Sequence, residues 1–471
     1  MNPFSGTGLA VVLGLAMGSP LAAQHRYVDA ASVNPQAPYD NWIYASTNIP
    51  EAIIAAASGD TIWVAPGVYP QSGAPVYIPA GKRINLISTR SRGAIIDAQG
   101  RSAGLRIGES NVVVEGIVVQ NGYDTNGWGG GVQLNASSTL RDCLIWNNRA
   151  RYGGGVFVGA PGAVLQGCTV SGNTAEQFGG GAVLWNVTTN KAYVQACEIK
   201  DNSAGTYGGG LYINGDVQVE QCMIRGNSAT SLSGGGIYMT GGALISTVIS
   251  DNSAKTSGGG VHSISVDDLI INCSITTNMA ENNGGGVNCQ SGSLVNSIVY
   301  YNTAPTNGNL TLGSGASAQY CCVTPSPGES NFDLPPEFED LLERNFGLRA
   351  YSPCVDAGTT TNAPAVDYAG RPRSMDGDLD GMAWPDVGAL EHQFRIKLWY
   401  MSTNKPVAVL SWDARTGRQY VVEAAGSLYP APMWIPMVTT SVSVAGNVTQ
   451  EVALVVQTSA MYRVSVPVTL P

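Results

Sequence analysis

The sequence predicts an all-β chain: a right-handed parallel β-helix solenoid followed by a small C-terminal β-sandwich. Three observations carry that expectation. Gly-Gly-Gly triplets start at Gly129, Gly153, Gly179, Gly208, Gly234, Gly258 and Gly284, separated by 24, 26, 29, 26, 24 and 26 residues. Self-similarity at this period marks a solenoid, in which each repeat stacks on the next. Each triplet follows an Asn and leads into a short apolar run with period-two alternation, the mark of a strand bounded by turns. Finally, 59 of 471 residues are Gly and only 12% are charged, which argues against long helices and against a solvated disordered chain.

In chain order, residues 1–23 have the pattern of a secretory signal, apolar from Leu9 to Ala16 with small residues Ala22 and Ala23 before Gln24, although the usual basic residues are missing from its start. No other segment is long enough for a transmembrane span, so the mature chain is expected to be secreted or held at the cell surface. Residues 24–393 are assigned to the β-helix with its N-terminal cap and C-terminal closing segment. The cap is a short helix near Thr47–Ala57, followed by a strand and turn over Gly59–Tyr69.

The repeats run from Leu140 to Asn148 before Gly153, from Leu165 to Asn173 before Gly179, and onward to Leu294–Asn302, with Val114–Asn121 as a less regular early copy. Stacked coils would rise by roughly 4.8 Å each, the spacing of paired strands. Three columns follow. One is aliphatic: Val118, Ile145, Val170, Ile199, Ile224, Ile249, Ile275 and Val299. A second holds Cys143, Cys168, Cys197, Cys222, Thr247, Cys273 and Ser297. A third holds Asn121, Asn148, Asn173, Asn202, Asn227, Asn252, Asn278 and Asn302, where a turn Asn tolerates left-handed backbone and its amide bonds the amides above and below. Column cysteines on parallel strands are set too far apart for a relaxed disulfide and are expected as packed thiols. Cys289, Cys321, Cys322 and Cys354 are placed outside that column, with a bridge from Cys354 to either Cys321 or Cys322 left open. Residues 394–471 lose the repeat; Val407–Trp412, Gln419–Glu423, Val442–Val444 and Tyr462–Val466 are expected strands of the sandwich, similar to fibronectin-type modules.

The helix-then-strand entry resembles the start of pectin-lyase-like β-helix proteins. The repeat exemplified by Asn227-Ser228-Ala229 and Gly234–Ile237 resembles repeats of polymorphic outer-membrane proteins, whose members are surface-displayed or secreted and often adhesive. Ser352–Gly358, Asp367–Arg373 and Asp386–Glu391 resemble the closing segment of large bacterial extracellular β-helix proteins. These resemblances cover about residues 27–393 and imply the fold more than an activity, because the fold hosts lyases, hydrolases, adhesins and stalks.

A net charge of −10 supplies no basic footprint for nucleic acid. The Gly triplets lack the Lys-Ser or Lys-Thr of a phosphate loop. A lyase or glycosidase needs convergent acids and bases; the nearest set is His262, Asp267 and Asp268. Trp128, Tyr152, Phe178 and Tyr207 each precede a triplet and should align along one edge, with Phe157, Tyr212 and Tyr238 on outward strand positions. Such rings suit a polysaccharide or cell-surface glycan, or else stack on one another to seal a turn. Asp376, Asp378 and Asp380, at alternate positions before Gly381, resemble half of a calcium loop. No cofactor is required, and Ca²⁺ would be structural. The expected function is non-catalytic adhesion or glycan binding, with a polysaccharide lyase or glycoside hydrolase as the alternative.

Overall fold

The computed structural model describes residues 24–377 and 382–392, apart from the side chains of 125–126 and 186–189, and the backbone of the strands between 397 and 465. The expected signal segment, Asp378 and Asp380 lie outside the described residues.

Successive coils wind through three parallel sheets of 18, 11 and 7 strands. One turn shows the path. Val132–Leu134 and Thr139–Arg141 belong to the first sheet, Leu144–Trp146 to the second and Arg149–Tyr152 to the third, and Val156–Val158 re-enters the first directly above Val132–Leu134. A cap covers the N-terminal end. Its helix, Ile49–Ala55, starts at Asn48, whose side chain accepts the Glu51 N–H at 3.0 Å, and it buries Ile49, Ala52 and Ile53. Among the described residues no helix is long and apolar enough to cross a membrane.

The aliphatic column is in register from Ile145 through Val170, Ile199, Ile224, Ile249, Ile275 and Val299 to Val323. At its lower end the expectation is off by one residue: Ile145 pairs with Val119, and Val118 lies beside Leu144 on the outer face. Each inward side chain is fully buried, a stabilisation of about 1.5–3 kcal/mol per residue.

The turns obey a simple rule. A residue in the left-handed region comes just before each ladder residue: Asn147, Gly172, Asp201, Gly226, Asp251 and Thr277 before Asn148, Asn173, Asn202, Asn227, Asn252 and Asn278. The left-handed backbone therefore belongs to the preceding residue and not, as expected, to the ladder Asn. Freed from making the bend, the Asn points inward and satisfies it. Asn227 Oδ1 accepts the backbone N–H and the Nδ2 of Asn202, both at 3.0 Å, and its Nδ2 donates to Ile199 O and Asn252 Oδ1, both at 2.9 Å. The ladder runs from Asn148 to Asn302 and continues to Asn309. Asn121 is not a member; it is itself left-handed, and Gly122 N donates to Asn148 Oδ1.

The cysteine column follows the same rule, with Asp142, Gly167, Ala196, Gln221, Ser246, Asn272, Asn296 and Tyr320 as the left-handed residues. All nine cysteines are buried free thiols. They do more than fill space: Cys222 Sγ accepts the Cys197 N–H at 3.4 Å and donates to Val194 O at 3.3 Å. Thr247 and Ser297 replace cysteine in the column by offering hydroxyls to the N–H groups of Cys222 and Cys273. Cys321, expected outside, belongs to the column: it precedes Cys322, which pairs with Ile298, just as Ser297 precedes Ile298. Burial pushes Cys273 and Cys321 up to about 12.

Each glycine of a triplet has its own reason. Gly208 is left-handed at φ +66°. A Cβ on Gly209 would lie 2.3 Å from Gly235 O, and one on Gly210 would lie 2.7 Å from Gly236 O and 3.1 Å from the Asn227 side chain. Coil-to-coil contact at this corner is backbone on backbone.

The closing segment does not simply plug the end. Residues 338–377 and 382–392 fold back as a strap over the outer face of the second sheet. Phe338, Phe346, Leu348, Cys354, Val355 and Val387 bury Val248, Ile298 and Cys322 of that face. Four successive corner residues hold it: Gln221 donates to Asp367 O, Ser246 to Val366 O, Asn272 to Asp386 O and Asn296 to Thr359 O, at 2.8, 3.1, 2.9 and 2.7 Å. Inside the strap, Arg373 and Glu391 form a 3.1 Å ion pair with side chains 2% and 0% exposed.

Beyond it, Lys397–Met401, Val407–Ala414 and Gly446–Ala453 form one antiparallel sheet, and Gln419–Ala425, Ile435–Ser441 and Met461–Ser465 another. The expected strand at 442–444 and the packing of these sheets into a sandwich lie outside the described residues.

Candidate functional site

The first Gly of each triplet turns the chain sharply at the corner between the third and first sheets. The residue before it is left projecting from that corner. This places Trp128, Tyr152, Phe178 and Tyr207 in one file: ring centroids are 4.5, 5.2 and 5.7 Å apart in succession. A second file runs along the outer face of the first sheet in strict register, Gln133, Phe157, Val183, Tyr212, Tyr238, His262 and Asn288.

The two files merge. Trp128 lies 4.6 Å from Phe157, Phe178 5.0 Å from Tyr212, and Tyr207 4.5 Å from Tyr238. Trp185 joins at 5.7 Å from Tyr212, two residues beyond the small Val183 that interrupts the column. His262 ends the strip, stacked on Tyr238 at 5.1 Å and 12°. Sequence reasoning placed neither Trp185 nor His262 in this group; the signal for His262 was its position, one coil after Tyr238 in the same alternation.

Stacking decides what the strip offers. Interplanar angles of 18°, 5° and 12° along Trp185, Tyr212, Tyr238 and His262 put ring faces against one another. Tyr212 and His262 are thereby buried, while Trp128, Tyr152, Phe157, Phe178, Tyr207 and Tyr238 stay partly exposed. Burial raises the Tyr212 hydroxyl and pushes Tyr238 up to about 12, so both remain hydrogen-bond donors at neutral pH. Burial also lowers His262 to about 4, leaving it neutral, and its Nδ1 has no hydrogen-bond partner among the described residues.

At the N-terminal end of the strip the outer face of the third sheet carries cations. The Arg151 guanidinium sits over the Tyr152 ring at 5.2 Å and that of Arg149 over Tyr123 at 5.6 Å. Arg149 also pairs with Glu176 at 3.1 Å, both largely exposed, so that pair adds little stability. A shallow cavity of about 350 Å³ adjoins them, lined by Gly100, Asn121, Gly122, Tyr123, Asn147 and Arg149.

The acids at His262 divide between two environments. Asp268 is 1% exposed. Its carboxylate accepts Ser263 Oγ at 2.7 Å and the backbone N–H groups of Gly241, Ile264 and Ser265 at 2.5, 3.0 and 2.9 Å. It shapes the 264–267 loop, and burial raises its pKa despite those donors. Asp267, its neighbour, is exposed and borders a cavity of about 390 Å³ with Lys191, Asp216 and Thr240. Lys191 and Asp216 are 3.4 Å apart there. Of the calcium-loop acids only Asp376 is described, and among the described residues no three His, Cys, Asp or Glu side chains are grouped to hold a metal ion.

No family model matches the chain, and no curated protein matches it. Among solved structures it is similar to the pectate lyase Pel9A, with a TM-score of 0.54 and 15% identity over 79% of this chain and 97% of that one. It is more distantly similar to XylC in complex with xylose, at a TM-score of 0.43 and 9% identity over 91% and 100% of the two chains. A rhamnogalacturonan lyase gives a TM-score of 0.35 and 15% identity over 68% and 92%. What this chain shares with the pectate lyase is the right-handed parallel β-helix itself.

Proposed function

We propose that this is a secreted or cell-surface β-helix that binds a polysaccharide along its aromatic strip and does not cleave it. The observation that supports the reading is the continuity of the strip, from Trp128 to His262, on a face that the strap leaves uncovered. Partly exposed aromatic rings recur from coil to coil, a repeat comparable with the advance of one sugar along an extended chain. Phenol hydroxyls that stay protonated suit sugar hydroxyls, and the rings supply apolar contact beside them. Fold similarity to a pectate lyase makes a polysaccharide a reasonable class of partner.

Affinity electrophoresis through neutral and acidic polysaccharides tests this. Retardation by at least one polysaccharide is expected, with affinity falling at least tenfold, or ~1.4 kcal/mol, in Tyr152→Ala plus Tyr207→Ala. Unchanged retardation in that variant would sink the strip as the site.

Catalysis is the second reading, favoured by the cavity that Asp267 shares with Lys191 and Asp216. Reducing ends or unsaturated products released by the wild type and lost in Asp267→Ala would establish it. Asp267 is the informative position, because Asp268 supports its loop and its loss would confuse folding with chemistry.

A further inference from the structure

Cys322 and Cys354 differ from the other seven cysteines. The six column thiols, Cys143, Cys168, Cys197, Cys222, Cys273 and Cys321, sit on parallel coils, with Thr247 and Ser297 occupying the column before and after Cys273. Parallel strands hold neighbours in the column roughly 4.8 Å apart, whereas a relaxed disulfide brings Cβ atoms to ~3.8 Å. The first five are also committed to backbone carbonyls of their own and the preceding coil, as Cys222 is to Glu220 O and Val194 O, and Cys321 donates to Gln319 O. Cys289 faces Ser263, at 3.7 Å, and no cysteine.

Cys322 opens the strand Cys322–Val323 and pairs with the outward Ile298, so it points outward from the coil into the strap. Cys354 arrives from the strap itself. Both are 0% exposed in the same apolar cluster, where Cys322 Sγ donates to Leu334 O at 3.1 Å, and burial together with the neighbouring Cys322 thiol raises Cys354 well above the ordinary thiol range. They come from different layers, so no ladder register fixes their separation.

We propose that Cys322 and Cys354 form a disulfide that staples the strap to the last coils, and that the other seven thiols stay reduced. Small-molecule disulfide, such as oxidised glutathione, is the oxidant. One protein thiolate attacks the reagent, releasing one glutathione thiol and forming a mixed disulfide. The second protein thiolate then displaces the other glutathione. Two protein thiols are oxidised, one reagent disulfide is reduced to two thiols, and the protons balance. Because both sulfurs are buried in the closed strap, the bond forms as the strap docks during folding. It closes a loop that contains the strap hairpin of Phe338–Asp340 and Asn345–Leu348, which restricts the unfolded strap.

The test refolds the full chain in a glutathione redox buffer, alkylates it in denaturant without reductant, and maps the peptides by mass spectrometry. Seven alkylated cysteines and one linked pair, Cys322 with Cys354, are expected from the nine present. In Cys354→Ser all eight remaining cysteines should be alkylated. Reductant should lower the denaturation midpoint of the oxidised wild type and leave that of Cys354→Ser unchanged. Nine alkylated cysteines in the oxidised protein, or a link involving Cys321 or any other column thiol, would overturn the proposal. If Cys354→Ser does not fold, the wild-type peptide map alone decides.

Discussion

Replacing Asn227 by Ala tests whether the Asn ladder holds the coils in register. The side chain is fully buried and makes four hydrogen bonds, two accepted from Asn202 and two donated, to Ile199 O and Asn252 Oδ1. Two of its partners keep alternatives: Asn202 Nδ2 still reaches Val170 O, and Asn252 Oδ1 still accepts the residue-227 N–H. Ile199 O keeps its place in the parallel ladder with the Met223–Arg225 strand, so the Asn202 N–H alone loses its partner. An orphaned buried group costs about 1–3 kcal/mol, so the substitution should cost about 1–3 kcal/mol, with the upper part of that range expected because Ala also leaves a small void.

Urea denaturation of the variant against Asn282→Ala supplies the comparison. Asn282 is exposed, and its substitution should stay within about 0.5 kcal/mol. A solenoid's stability is carried by neighbouring repeats, so the damage should also be local. Hydrogen exchange at Asn202 and the adjoining turn should accelerate before distant coils respond. An Asn227→Ala cost indistinguishable from the control, with unchanged exchange at Asn202, would refute the ladder as an energetic feature and leave it a by-product of the stacking.

Gly209→Ala should prevent folding or cost more than about 4 kcal/mol, since its Cβ would meet backbone at 2.3 Å, whereas Gly172→Ala, also left-handed but with open space around it, should cost about 1 kcal/mol; paired denaturation curves decide. His262 is held neutral to about 4 while the unfolded side chain titrates near 6.5. Below 6.5 the unfolded chain gains a proton that the folded chain does not, so stability falls with pH by up to about 3 kcal/mol and levels off below 4. Carboxylates titrate over the same range, so the measurement is a difference: denaturation at pH 7, 5.5 and 4 should show a shallower acid loss in His262→Asn, which copies Asn288 in the same column. Arg373→Met should cost about 3–5 kcal/mol by stranding the buried Glu391 carboxylate, detected as faster proteolysis within 338–392 while the coils stay protected.

How far the fold was legible depends on what repeats. The triplets, the aliphatic column from Ile145 onward and the Asn ladder from Asn148 onward could be read because stacking forces like residues over like. Reading failed where the repeat had not yet started. Val118 and Asn121 belong to the copy before Gly129, whose ladder position is taken by Gly122 in place of Asn; aligning on Asn121 slips the count by one, and a slip of one residue exchanges inside for outside. Cys321 was misplaced for a related reason: no triplet or Asn of the usual spacing follows it to mark its coil. Asp268 looked like half of a carboxylate pair because sequence adjacency says nothing about burial, and only the loop geometry shows its oxygens turned toward backbone donors. The aromatic file was legible at the corner, where each ring precedes a Gly, and illegible at Trp185, which left the column.

The strap shows where a signal existed and could not be weighed. Its own sequence has no period, and Arg373 and Glu391 are separated by 18 residues with nothing to pair them in advance. Its docking site, however, is written in the coils. Where the second sheet's outer face is bare, the left-handed corner residues are Asp142, Gly167 and Ala196; where the strap lies, they are Gln221, Ser246, Asn272 and Asn296. A left-handed corner favours Gly or Asn for backbone reasons, and Gln and Ser, like Ala196, have no such preference. At Gln221 and Ser246 the hydrogen bonds to Asp367 O and Val366 O supply a second reason for the residue present. The outward residues run Leu144, Thr169 and Glu198, then Met223, Val248, Ser274, Ile298 and Cys322 beneath the strap, where the polar member Ser274 accepts the Ala389 N–H at 2.9 Å. Corner residues that bond the strap and outward residues that it covers thus occupy the same coils, and that coincidence, independent of any repeat, locates a lateral partner on a solenoid face.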